Sequence, residues 1–545
     1  MTILIPRTTT TTTILFFFFF LFFYGGGGEG TGEGGGEWRL LHESIGISAM
    51  HMQLLPGDKV VMFDRTDFGP SNISLLPFHP CRRLLPPSPD AVDCTAHSVL
   101  LDLPTNAITP LLLLTDPWCS SAALLPNGTL LQSGGFNSGD RSLRLLTPPF
   151  SALPRWLELP GALSVRRWYA ANQILPDGRV VILGGRRQFN YEFFPRASDR
   201  ELYEFPFLEE TRDADDENNL YPFLHLLPDG GLFVFANNRS VSPARGEVLV
   251  CGGAPRGAYA WARRGAAFLP AERTCGRIAA TEAGAAWSVE AMPGPRVMGD
   301  MVLLPTGDVL VVNGAAAGTA GWESARDPVL RPALYRPERE LGARFEEMAR
   351  AGRARLYHAA ATLDSYGRVL VGGGNPHAGY VFDGVEYPTE LSLEAFLPPY
   401  LHPGRDGARP RAAAVVARGG GAAAAAAVGG VGYGEVVGVR FRVGVGDGDG
   451  GAEMEEGEEV RVVAVAPGFA THAVGMNQRV VGMGVGRVER ISPPAPAPAE
   501  YEAEVAAPPS PEVAPPGYYL WFVVHAGVPS DRGVWVRIGY PGDLS

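Results

Sequence analysis

Four short segments of this 545-residue chain set reactive side chains beside apolar runs. They are TDPWCSS with Cys119, RRQFNYEFFP with Tyr191, RLYHAA with Tyr357 and His358, and APGFATHAVGMNQR with His472. Thiol, phenol and imidazole groups can bind metals, move protons or take part in redox chemistry. Each also has a plainer reading. A lone cysteine is usually a small buried hydrophobe. Tyr191 suits a strand or packed loop, Tyr357-His358 a core pair, and His472 a hydrogen-bonded surface position. No local signature decides the matter, because HExxH, paired CxxC, G-x-S-x-G and P-loop motifs are all missing from the sequence. A site made from these residues has to be assembled by the fold.

The elements that could assemble it recur along the chain. Two apolar residues, a Pro/Gly/Asp turn and an apolar strand, often ending in Gly-Gly, appear as LLPGDKVVMF (54–63), LLPNGTLLQSGG (124–135) and ILPDGRVVILGG (174–185). LLPDGGLFVFAN (226–237), GEVLVCGG (246–253), LLPTGDVLVVNG (303–314) and LDSYGRVLVGGG (363–374) follow. Asp-Gly and Asn-Gly steps between apolar runs read as hairpin turns. Self-similarity at this period predicts a seven-bladed, kelch-like β-propeller over 38–395. Blades converge on an axis, so the isolated polar groups beside strand ends become the candidates. The step from 226 to 246 is short for a four-stranded blade of about 40 residues, so one blade is predicted to be incomplete. Beyond Pro398-Pro399-Tyr400, apolar strands at 436–445, 460–465, 518–524 and 534–538 predict an immunoglobulin-like β-sandwich over 396–545. The Ala/Gly-rich 411–434 and the acidic 447–459 read as loops or insertions.

Composition agrees with an all-β chain. Gly is 69 and Pro 48 of 545 residues, both above ordinary usage, and both favour turns over helix interiors. The net charge of −12 excludes a general nucleic-acid binder. Residues 1–24 read as a signal peptide, since the apolar run 14–24 is too short to span a bilayer. No stable membrane anchor is expected, and a Gly-rich linker is read at 25–37. Sequons at Asn72, Asn127 and Asn238 suit an exported protein. The five cysteines give two disulfides and one spare thiol. Pairing Cys81 with Cys94 and Cys251 with Cys275 keeps both loops short, although other pairings remain open.

The four segments, together with WRLLHESIGISAMHMQLLP, RWYAANQILPDGRVVILGG, ENNLYPFLHLLPDG, GGGNPHAGY, YPTELSLEAFLPPYL and APPGYYLWFVVHAGVPS, resemble the copper-radical oxidases. The likeness is to the plant glyoxal-oxidase (aldehyde oxidase) branch, more distantly to galactose oxidase, and it runs from about 38 to 540. It implies one copper ion bound by Tyr191, Tyr357, His358 and His472. Tyr191 is implied to be thioether-linked to Cys119 and to carry the radical, a use that explains the spare thiol; Trp118 is read as core packing, with stacking on that tyrosine as the alternative. Tyr357 is implied to be the general base. Imidazole nitrogen and phenolate oxygen suit Cu(II). The implied reaction takes small aldehydes such as glyoxal or methylglyoxal, with O2, to carboxylic acids and H2O2. The implied setting is extracellular, in the cell wall, where peroxidases could use the H2O2. An alcohol oxidase of the galactose-oxidase kind, and a non-catalytic carbohydrate- or protein-binding propeller, are the alternatives. After Ser240 the plant family continues for some tens of residues before the EVLVCGG strand, and here it does not.

Overall fold

The computed structural model describes residues 2–5, 35–83, 91–150, 154–198, 201–213, 219–237, 239–241, 247–279, 286–417, 429–443, 454, 458–492 and 499–543. The apolar run 14–24, most of the predicted linker and sequon Asn238 lie outside them. The described chain is nearly all β, built from many short antiparallel sheets.

Five of the predicted turns join the first two strands of a sheet, whereas the copy GEVLVCGG supplies Glu247–Cys251 with no hairpin partner before it. Ser121–Leu124 pairs with Leu130–Ser133, Ala170–Ile174 with Val180–Gly184, Phe223–Leu226 with Leu232–Ala236, Asp300–Leu303 with Val309–Val312, and Ala359–Leu363 with Val369–Gly373. These first strands lie side by side around a centre: Ala170–Ile174 sits between Ser121–Leu124 and Phe223–Leu226, and Ala359–Leu363 sits between Asp300–Leu303 and His51–Leu55. The apolar faces of these sheets pack together into the core, with Val60, Val99, Leu310, Leu370 and Phe396 among its fully buried members. Burial of such side chains contributes about 1.5–3 kcal/mol each. Glu37–His42 forms the outer edge of the sheet that contains Leu393–Leu397, so the two ends of the ring close on each other through a shared sheet.

The short repeat leaves a mark. The sheet starting at Phe223–Leu226 has three strands, ending at Arg239–Val241. In the next sheet Glu247–Cys251 has Thr2–Ile5 on one side and Thr274–Ala279 on the other. Cys81–Cys94 and Cys251–Cys275 are disulfides, and Cys119 is the free, buried cysteine. Cys251 and Cys275 are direct cross-strand partners.

Two further sheets face each other over Val439, Phe441, Val462, Trp521 and Val536. One contains Arg411–Val416, Val436–Arg442, Glu500–Ala506 and Gly484–Arg490; the other contains Gly517–His525, Val460–Ala466 and Val534–Gly539. Their opposed apolar faces make a sandwich. The Ala/Gly-rich stretch read as loop is thus partly strand: Arg411–Val416 pairs with Val436–Arg442, and its Val415 and Val416 are buried. From this sandwich a hairpin, Phe469–Thr471 and Val474–Met476, reaches back and adds itself to His51–Leu55 of the ring.

Candidate metal and radical site

The site grows from one repeated backbone position. In five sheets the first turn closes on the same bond: Leu125 N–H to Thr129 O, Leu175 to Arg179, Leu227 to Gly231, Leu304 to Asp308 and Asp364 to Arg368, all at 2.8–2.9 Å. Six residues upstream of each turn stand Cys119, Tyr169, Tyr221, Met298 and His358, and all five have left-handed backbone, with φ of 54, 64, 53, 57 and 60°. Such conformations cost non-glycine residues about 1–3 kcal/mol each and cluster at functional sites. The N–H of Tyr169 donates to Cys119 O, and that of Tyr221 to Tyr169 O, both at 2.9 Å. The residues that open successive inner strands are therefore tied directly to one another.

The hairpin supplies the remaining group. Its tip, His472-Ala473, has φ of 47 and 65°, positive at both central positions as a two-residue type I′ turn requires. The tip brings His472 Nε2 to 3.2 Å from Cys119 Sγ. The His358 ring is 4.9 Å from that of His472 at 83°, Tyr357 is 5.6 Å away, Tyr221 5.3 Å and Tyr169 5.8 Å. Ligand atoms of Cys119, His358 and His472 all lie within 4.8 Å of one another. Tyr357 stacks on His358 at 3.8 Å.

Cys119, Tyr357, His358 and His472 are therefore brought together, and Tyr191 is not. Tyr191 lies on Asn190–Phe194, the third strand of its sheet, paired with Leu183 and Tyr203. Its ring contacts are Tyr203, Phe193 and Phe205. Two strand spacings, about 10 Å, separate that strand from the inner one. Tyr169 stands where Tyr191 was expected. Its phenol interacts electrostatically with both Cys119 and Tyr357. The repeat register was the available signal, since RRWYAANQILPDG places Tyr169 as TDPWCSSAALLPNG places Cys119. Tyr221 was missed in the same way; its hydroxyl donates to Ser120 O at 3.1 Å. Trp118 stacks on Trp322 at 5.6 Å and 7° and does not face Tyr191; the indole beside Tyr169 is Trp168, at 4.9 Å.

The electrostatics suit a cation. Burial holds His472 down to about 3. Burial, then the neighbouring His472, holds His358 well below the ordinary imidazole range. Both rings are thus neutral, with lone pairs to give. Neither nitrogen of His358 has a hydrogen-bond partner among the described residues. Burial pushes Tyr169, Tyr221, Tyr357 and the Cys119 thiol upward, so none of them ionises unaided near neutral pH. Buried neutral imidazoles beside phenols that need a positive charge to ionise fit a copper ion.

Comparison with known proteins agrees. The family described as "Glyoxal oxidase N-terminus" matches residues 50–245 and 242–400, and "Galactose oxidase-like, Early set domain" matches 422–538. The two stretches of the first match meet where the repeat is short. The chain is 40% identical to "Aldehyde oxidase GLOX" of Vitis pseudoreticulata, covering 92% of this chain and 97% of the relative. It is 38% identical to "Aldehyde oxidase GLOX1" of Arabidopsis thaliana, covering 92% and 84%. A fungal alcohol oxidase, solved in complex with copper, shares the fold with a TM-score of 0.62 at 15% identity, covering 92% of this chain and 99% of that one. With the ring and the sandwich each matched by a family model and nearly the whole chain matched by these relatives, the chain belongs to the glyoxal oxidase family.

Proposed function

We propose that this chain is a secreted copper-radical oxidase that converts small aldehydes, such as glyoxal and methylglyoxal, to carboxylic acids. The net reaction is RCHO + H2O + O2 → RCOOH + H2O2. The observation that carries the reading is the convergence of Cys119, Tyr169, Tyr357, His358 and His472 at one buried point. Tyr169, Tyr357, His358 and His472 hold the copper. Bound copper supplies a one-electron couple and the positive charge that lets buried phenols ionise. Cys119 and Tyr169 join by a C–S bond that replaces the S–H and a ring C–H, with two electrons passing to O2. The sulfur-substituted ring of Tyr169 then stores the second oxidising equivalent. Tyr357 takes the hydroxyl proton of the hydrated aldehyde, and the Tyr169 oxygen removes the hydrogen atom from its carbon. Oxygen accepts both electrons and both protons. The apolar leader, the sequons at Asn72 and Asn127, and the two disulfides support export to the cell wall, where peroxidases could consume the H2O2.

The test is a peroxide-coupled oxygen assay over aldehydes and alcohols, with Cys119→Ser, Tyr169→Phe and Tyr191→Phe. Cys119→Ser and Tyr169→Phe should lose at least about 1,000-fold in kcat, on the scale of removing a reacting group, while Tyr191→Phe stays within a few-fold of wild type. Peptide mass spectrometry should find a Cys119–Tyr169 cross-link. Activity that survives Tyr169→Phe, or a cross-link to Tyr191, rejects the assignment.

A further inference from the structure

A buried cation beside the site has no part in this chemistry so far. Arg65 is 4% exposed and follows the strand Lys59–Phe63. Its guanidinium carbon lies 3.9 Å from the Trp118 ring centre and 5.1 Å from that of Trp322. Nε donates to Asp67 Oδ1 at 2.6 Å, but the buried Nη1 has no acceptor among the described residues. The indole N–H of Trp118 is also buried without an acceptor among the described residues. Other buried arginines also keep one nitrogen without an acceptor among the described residues, Nε in Arg144 and Arg355 and Nη2 in Arg167, but they spend Nη1 on the framework: Arg144 on Gln132 Oε1 and Gly134 O, Arg167 on Gly184 O, and Arg355 on Gly373 O. Arg65 is therefore held by its stem and Nε, with a donor to spare. Its charge is felt at Cys119, Tyr357 and His358, and the ring it covers, Trp118, directly precedes Cys119 in the chain. A buried donor without an acceptor is costly unless a ligand supplies one.

We propose that Arg65 binds substrate. Its Nη1 takes an oxygen on the carbon next to the aldehyde, a carboxylate or second carbonyl, and so selects aldehydes that carry one over plain alkyl aldehydes. The Trp118–Trp322 stack holds the guanidinium plane and walls the pocket with apolar surface. A planar guanidinium recognises carboxylate and carbonyl oxygens directionally. The inference rests on the function proposed above for its substrate class.

Its test separates binding from turnover. Pyruvate carries the carboxylate and a carbonyl but no aldehyde hydrogen; 2-butanone has similar size and lacks the second oxygen function. Calorimetric titration of the full, copper-loaded chain with both ligands is compared for wild type, Arg65→Met and Arg65→Lys. Arg65→Met keeps the stem over Trp118, and Arg65→Lys keeps the charge without the fork. Arg65→Met should weaken pyruvate binding by about 10-fold or more, as for a lost charge-assisted bond, with 2-butanone unchanged. Arg65→Lys should fall between. In turnover, Arg65→Met should lose the same factor in kcat/KM for glyoxylate and little for propanal. A pyruvate affinity unchanged in Arg65→Met, an equal loss for both ligands, or no wild-type pyruvate binding overturns the proposal. Arg65-dependent pyruvate binding in a protein that makes no peroxide from any aldehyde upholds this subsite and rejects the oxidase reading.

Discussion

Thr471 decides which edge of the His472 ring meets the site. Its hydroxyl lies 2.7 Å from His472 Nδ1, so an Nδ1–H that donates there leaves the Nε2 lone pair facing Cys119. Removing that partner frees both tautomer and ring angle without touching a ligand. Thr471→Val should weaken copper binding by about 10-fold or more, read by competition with a chelator of known affinity, while the Cys119–Tyr169 cross-link still forms once copper is saturating. Unchanged affinity would show that the hairpin backbone alone aims the ring. Among single residues, those with distinctive neighbours could be read in the sequence: Tyr357 beside His358, His472 in THAVGMNQR, and Cys119 as the cysteine left unpaired. Tyr191 misled because FNYEFFP looks like a special segment, whereas its ring packs against Tyr203 and Phe193 on a third strand. Tyr169 looked ordinary because its distinction is a backbone angle and a register, and neither is a residue type.

The hairpin bearing His472 works only if it is fixed to the ring, and two amides fix it. Asn477 Nδ2 donates to Ala122 O and Asn172 O at 3.1 and 3.2 Å, and its Oδ1 accepts from Ile174 N at 2.8 Å. Gln478 Nε2 donates to Met301 O at 2.8 Å, and its Oε1 accepts from Leu303 N at 3.1 Å. These side chains substitute for strand partners at three inner strands, and so join sandwich to ring. Asn477→Ala strands the Ile174 N–H and two carbonyls. It should cost at least about 1–3 kcal/mol, seen as a lower urea midpoint at constant m-value, and it should weaken copper binding because the tip loses its anchor. A stability within 0.5 kcal/mol of wild type, on the order of a neutral surface change, would show that pairing with His51–Leu55 suffices. At this scale the sequence was a good guide. Each LLPDG-like turn closes a hairpin because its glycine, at 128, 178, 230, 307 or 367, takes the positive φ that the turn requires. What it hid were contacts between elements distant in sequence, such as Asn477 with Asn172, and the strand Arg411–Val416, whose alanines carry no periodic pattern.

Across the whole molecule, buried carboxyls set the response to pH. Asp300 is pushed up to about 7, by burial first and against the hydrogen bond from Asn313. The folded chain thus keeps a proton that the unfolded chain releases above about pH 4. This contribution to stability is full below about pH 4, is lost as pH rises to about 7, and is flat above. Asp300→Asn should shrink the fall in Tm between pH 4.5 and 7.5 by a few degrees, and an identical fall in both proteins would remove Asp300 from the account. The larger question is the shortened ring. Glu247–Cys251 is paired on one side by Thr2–Ile5, four residues that a cleaved leader would carry away. The mature chain would then hold an inner-sheet edge with unmet N–H and C=O groups beside the three-stranded sheet, and such edges recruit other chains. The proposed ligands are remote from that gap in sequence, since Cys119, Tyr169, Tyr357 and His358 open other sheets and His472 comes from the hairpin. A protein starting at residue 25 should therefore bind copper with the affinity of one whose family-length segment is restored after Ser240. It should nonetheless unfold several degrees lower, on the scale of a few kcal/mol, and aggregate faster at equal concentration. Calorimetry and light scattering on the pair decide this. Equal Tm and equal scattering would mean that the disulfide Cys251–Cys275 holds the edge closed by itself.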